Sequence, residues 1–176
     1  PGGARVGGRG AASPSRYRGR RLPVESVRHV LTMLAMSRLS EPYPGIEVVR
    51  GVVDRRGLGE FAWALFRRWQ AAGMPSKEAW AFEALAHFGD DEVVRSLTPL
   101  IRAWPGEGGH ARAVTGLEIL SAIGTDVALM HLHGIAQKAK FKGLKDRANE
   151  KMAEVAAALE LRPEQLADRL LPDFGL

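Results

Sequence analysis

AWAFEALAHFGDDEVVRSLTPLI (79–101) and VTGLEILSAIGTDVALMHLHGIA (114–136) are two copies of one pattern, set 35 residues apart. Laid side by side, they match Glu83 with Glu118, Leu85 with Leu120, Gly89 with Gly124, Asp91 with Asp126 and Leu97 with Leu132. Phe82/Leu117, Phe88/Ile123, Val94/Leu129 and Leu100/Ile135 are apolar in both copies. Each copy reads as a helix, a glycine turn, an aspartate at the cap and a second helix. A period of this length is a mark of repeat architectures. One helical hairpin cannot cover its own apolar face, so the copies are expected to stack, with Gly89 and Gly124 as equivalent corners.

The flanking sequence repeats the helical theme. Val24, Val27, Val30, Leu31 and Leu34 recur at helical spacing and predict a helix over about 23–38, which Pro42 and Pro44 break. A short helix is expected over 46–54, the only segment where a strand competes. FAWALFRRW (61–69) lies in a helix over about 58–72 that is apolar around most of its circumference, as a helix with neighbours on several sides must be. Gly73 ends it, and Ser76 after Pro75 is the expected N-cap of a helix over 77–88, with Trp80, Ala81, Ala84, Leu85 and Phe88 on one face. Asp90 or Asp91 should cap the next helix, about 91–104, and Pro99 should kink it. Phe141, Leu144, Ala148, Met152, Val155 and Leu159 mark an amphipathic helix over about 141–160. Pro163 opens a last helix and Pro172 ends it. The expected fold is all-α: a HEAT-like α-solenoid of stacked hairpins, about 7–9 helices, over residues 22–176.

Residues 1–21 read differently. They are rich in Gly, Arg, Ser and Pro, and such a stretch cannot bury enough apolar surface to offset its ordering entropy. A disordered Gly/Arg-rich tail or linker is expected there. The chain opens at Pro1 rather than Met, so it is read as a fragment of a longer protein.

The pI near 10.0 invites a nucleic-acid partner, but the location of the charge decides more than its total. Arg5, Arg9, Arg16, Arg18, Arg20 and Arg21 stand in residues 1–23 with no acid, which leaves 19 basic against 20 acidic residues in 24–176. The absence of cysteine excludes disulfides, thiolate metal sites and cysteine nucleophiles, and suits a cytoplasmic protein. No run of about 18 apolar residues is present, so no membrane span is expected.

Few residues carry recognisable chemistry. No nucleophile elbow, Walker loop or dinucleotide fingerprint is present, so no catalytic or cofactor-binding residue is assigned. His131 and His133 are two apart, on different faces of a helix, and His29, His87 and His110 stand alone; no metal site is expected. WPGEGGHARAV (104–114) could present backbone N–H groups to an anion at a helix start, with Gly108, Gly109, His110 and Arg112 as the candidate loop. The plainer account is an inter-repeat loop needing positive φ angles. Lys138, Lys140, Lys142, Lys145, Arg147 and Lys151 form the best candidate binding surface. They can contact phosphates with salt-sensitive, nonspecific affinity, although Asp146 and Glu150 interrupt the run and a solvated helix face is the simpler reading.

FAWALFRRW (61–69), the Pro75–Ala79 turn, WPGEGGHARAV (104–114), IGTDVALMHLHGIAQKAKFKGLKDRA (123–148) and ADRLLPDFGL (167–176) together resemble the MolR-like family of large bacterial proteins, whose members often also carry a WGR domain. The resemblance implies a HEAT-like helical region within a much longer chain and assigns no site residue. The function expected is a noncatalytic protein-interaction or scaffold module, regulatory in context, that engages a protein partner or other domains of its parent chain. One rival is a nucleic-acid-binding solenoid using the 138–151 helix and the arginine tail. A HEAT-like DNA glycosylase is another, disfavoured by the near-neutral charge of residues 24–176.

Overall fold

The structure is a computed structural model that describes residues 16–17, 20–21, 24–37, 39 and 41–171. Arg16–Tyr17 pairs antiparallel with Arg20–Arg21, Arg16 opposite Arg21 and Tyr17 opposite Arg20. The rest of the 1–21 segment, and the end of the last helix at Pro172, lie outside the described residues. The remaining regular structure is helical: α1 (Val24–Met36), α2 (Gly45–Val52), α3 (Arg55–Ala71), α4 (Trp80–Phe88), α5 (Asp91–Ala103), α6 (His110–Ile123), α7 (Asp126–Lys138), α8 (Lys142–Ala158) and α9 (Pro163–Arg169). The segment where a strand competed is therefore α2. Among the described residues no helix is long and apolar enough to cross a membrane.

Local chemistry explains most boundaries. α3 starts three residues earlier than apolar spacing alone suggests, because the Asp54 carboxylate accepts from Gly57 N–H at 3.1 Å and caps it. It ends in a Schellman motif: Gly73 adopts φ +88°, Met74 N–H donates to Trp69 C=O at 2.9 Å, and Gly73 N–H donates to Gln70 C=O at 3.0 Å. Ser76 does not cap α4. Ser76–Glu78 forms a 3₁₀ turn instead, and Pro75 C=O is held by the Trp69 indole N–H at 2.9 Å, which fixes the chain entering α4. Helix α5 runs through Pro99, where the Thr98 hydroxyl donates to Val94 C=O at 2.9 Å.

The two repeat copies share the end of the first helix, the bounds of the second and the cap between them, although α6 starts five residues earlier in the register than α4 does. Asp90 Oδ1 accepts from Val93 N–H at 3.0 Å, and 35 positions later Thr125 Oγ1 accepts from Ala128 N–H at 3.1 Å. The cap is thus the residue after each glycine, not the aspartate that follows it. The glycines themselves differ. Gly124 adopts φ +65°, whereas Gly89 has φ −66° and ψ 143°, an extended conformation open to any residue.

The chain divides into two compact units, Pro1–Val93 and Val94–Leu176. In the first, α4 packs on α1 and α3, and α2 packs on α1. Its centre is aromatic: Phe66 lies 5.4 Å from Phe82, and Trp69 stacks on Phe82 at 5.5 Å between ring centroids. In the second, α6, α7 and α8 pack mutually and α9 covers the end of α8. Leu117, Leu120, Leu132, Ile135, Leu144 and Ala148 are buried between them. Ile101 of α5 reaches α6 so closely that a Cβ on Gly116 would stand 2.5 Å from Ile101 Cγ1.

Candidate functional site

The glycine-rich loop is built by packing. After α5, Trp104–Glu107 makes a 3₁₀ turn, Gly108 takes φ +75°, and Gly109 N–H donates to Trp104 C=O at 2.8 Å. Gly108 is required by its left-handed backbone. At Gly109 space is tight, since a Cβ there would lie 2.5 Å from Arg112 Nη2, the mobile end of that side chain, and 3.2 Å from Trp104 Cβ. The Arg112 guanidinium folds back over the buried Trp104 ring, 5.1 Å from its centroid, and its Nε is buried without a hydrogen-bond partner. Of the four candidate loop residues, Gly109 and Arg112 are held in these contacts, while Gly108 and His110 are exposed. The first turn of α6 holds no acid, and Gly109 supplies no side-chain cap.

The six cations of the basic run do not share one face. Leu144, Ala148 and Met152 form the buried stripe of α8. At about 100° per residue, Lys142 and Lys145 fall on one flank of that stripe and Arg147 and Lys151 on the other. Asn149, one turn beyond Lys145, donates to Ala136 C=O of α7 at 3.0 Å, so the first flank faces α7. The second faces α6: a Cβ on Gly143, one turn before Arg147, would lie 3.2 Å from His110 Cε1.

Half of the run is neutralised within its own helix. Lys142 pairs with Asp146 at 2.7 Å, Arg147 with Glu150, and Lys151 with Glu154 at 2.8 Å. The hydrogen bond to Asp146 raises the Lys142 ammonium above its ordinary pKa, and the bond from Lys151 holds the Glu154 carboxyl below its own. Among the described residues Lys138, Lys140 and Lys145 form no ion pair.

The two candidate regions, separate in sequence, meet at one corner. Phe141 is the N-cap of α8 rather than a residue of its buried stripe, and its ring sits where a Cβ on Gly106 would be, 2.9 Å from Cζ. Lys140 Nζ lies 5.7 Å from the Phe141 ring centroid. Sequence reading missed this meeting. Its only signal was the pair of small residues, Gly106 and Gly143, at the two contact points.

The histidines are dispersed. His131 Nδ1 lies 2.9 Å from Thr98 Oγ1 and ties α7 to α5, a packing role. His87 is buried on α4, its Nε2 without a hydrogen-bond partner. Burial pushes its pKa below 6.5, Arg50 pushes it further, and Glu47 opposes both. Among the described residues no group of three potential metal ligands comes together.

Comparison with known proteins adds one relative. The chain is 46% identical over 144 residues to the Escherichia coli (strain K12) protein named Uncharacterized protein YehI, an alignment covering 82% of this chain and 12% of that protein. No family model and no solved structure matches the chain. The chain therefore spans only a small part of the length of the relative it matches.

Proposed function

We propose that this chain is a noncatalytic, HEAT-like interaction module of a longer polypeptide, in which helix pairs stack and an exposed face engages another protein or another part of the parent chain. The observation that supports it best is the repeated cap. Asp90 and Thr125 each follow a helix-ending glycine, each hold the N–H three residues on, and stand 35 positions apart. A period that preserves backbone capping as well as apolar spacing is what a repeat unit under one structural constraint produces. The resemblance to the MolR-like family supports the same reading, as does a relative of which the aligned segment is 12%.

Exposed apolar side chains give the module something to bind with: Val48 is 67% and Met130 is 36% exposed. Photo-cross-linking residues placed at 48 and 130 in the intact polypeptide test the reading. The expected result is a discrete cross-linked peptide, lost when unlabelled chain competes, with no equivalent product from the exposed polar position Gln165. Equal labelling from all three positions, or base-excision activity in the purified chain, defeats it.

A further inference from the structure

The α7–α8 corner concentrates four lysines, of which one, Lys142, is paired with an acid. From Val127 to Lys145 the sequence contains no carboxylate, yet Lys138 ends α7, Lys140 sits in the turn, and Lys142 and Lys145 occupy the first turn of α8 and its edge. Only Lys142 has an acidic partner, Asp146. Helix starts ordinarily carry acids, because the N-terminal amides are the positive end of the helix dipole. Here cations are placed at that end, and neither an acid in the first turn nor a side-chain cap relieves them. The opposite flank differs, since Arg147 and Lys151 are both paired with acids of their own helix.

We propose that Lys138, Lys140, Lys142 and Lys145 form a binding surface for the phosphodiester backbone of a nucleic acid, with Arg147 and Lys151 taking no part. Lysine ammonium groups on flexible stems bind phosphates as point charges, giving salt-sensitive affinity without the bidentate geometry that an arginine fork adds. Two arginines nearby that could supply such a fork are engaged, Arg112 on Trp104 and Arg147 on Glu150. Phe141 is engaged by Gly106 and Lys140, so it does not stand free as a stacking platform. The corner thus reads backbone and not bases, and binding is indifferent to sequence. This surface goes beyond the module reading and does not depend on it.

Fluorescence anisotropy of the full chain with a labelled 20-nucleotide single strand and its duplex, over a salt series, tests the assignment. The triple variant Lys138→Gln/Lys140→Gln/Lys145→Gln is compared with a charge-matched control, Arg56→Gln/Lys77→Gln/Arg169→Gln. The triple variant should bind duplex about tenfold or more weakly at low salt, and its slope of log K against log [salt] should be shallower by about 2.7, three phosphate contacts' worth. The control should keep the wild-type slope. Gln137→Glu, which adds a carboxylate at an exposed site without removing a lysine, should weaken binding several-fold and serves if the triple variant misfolds. Equal losses in triple variant and control, an unchanged slope in the triple variant, or binding to phosphatidylserine vesicles but to neither oligonucleotide overturns the proposal. Failure here leaves the module reading standing.

Discussion

Three residues show how backbone conformation decides the effect of a substitution. Gly124 needs its left-handed φ of +65°, and a Cβ there would also press to 3.3 Å from Ser121 C=O. Gly124→Ala should lower unfolding free energy by about 1–2 kcal/mol in urea denaturation, whereas Gly89→Ala, at φ −66°, incurs no such backbone penalty. Glu160 occupies the same kind of position without being glycine. Its φ is +58°, and it closes a Schellman motif in which Leu161 N–H donates to Ala156 C=O at 2.8 Å. Glu160→Gly should therefore stabilise the chain by about 1 kcal/mol, seen as a higher urea midpoint at unchanged slope.

His87 makes the stability pH-dependent. Its folded-state pKa lies below 6.5 because burial and Arg50 disfavour the imidazolium, so the unfolded chain binds the proton more readily. The stability this neutral ring permits is fully present above pH 6.5 and declines as pH falls below it. Urea midpoints at pH 7 and pH 5 should differ more in the native chain than in His87→Leu, which removes the titrating group and the unpartnered Nε2 together. Identical pH responses of the two would show that other groups govern the acid limb.

At the scale of elements, a side chain of one helix fills the space over a glycine of another. Ile101 of α5 is fully buried against Gly116 of α6, with 2.5 Å left for a Cβ that is not there. Gly116→Ala should destabilise by about 1–3 kcal/mol through overpacking, although alanine has the higher helix propensity. Pairing it with Ile101→Val should recover part of the loss in a double-mutant cycle; strict additivity would mean the two do not touch. Gly59 shows the same device in the first unit, where Asp90, the cap of α5, lies 2.8 Å from the space a Cβ would take. Apolar periodicity located these helices and placed most of their ends within a few residues. It misplaced Ser76, because the Trp69 indole holds Pro75 C=O, and it placed Phe141 inside α8, because ring-on-glycine contact with Gly106 cannot be seen in a linear pattern.

At the scale of the whole molecule, the repeat and the compact units follow different boundaries. The second copy lies within Val94–Leu176, while the first is divided inside α5 after Val93. Since α6, α7 and α8 bury Leu117, Leu120, Leu132, Ile135 and Leu144 on one another, residues 90–171 produced alone should be helical by circular dichroism and melt cooperatively. A gradual, non-cooperative melt would show that this core needs the preceding residues.

The sequence by itself determined the helical class, the 35-residue correspondence, the positions of the turns and the list of cations, because periodicity, turn residues and charge are local properties of the chain. Only the tertiary structure decided which cations remain unpaired, that the loop at 106–110 meets the start of α8, and that Gly89 and Gly124 differ in conformation. Those depend on distances between residues far apart in sequence, and packing sets such distances where no local pattern records them.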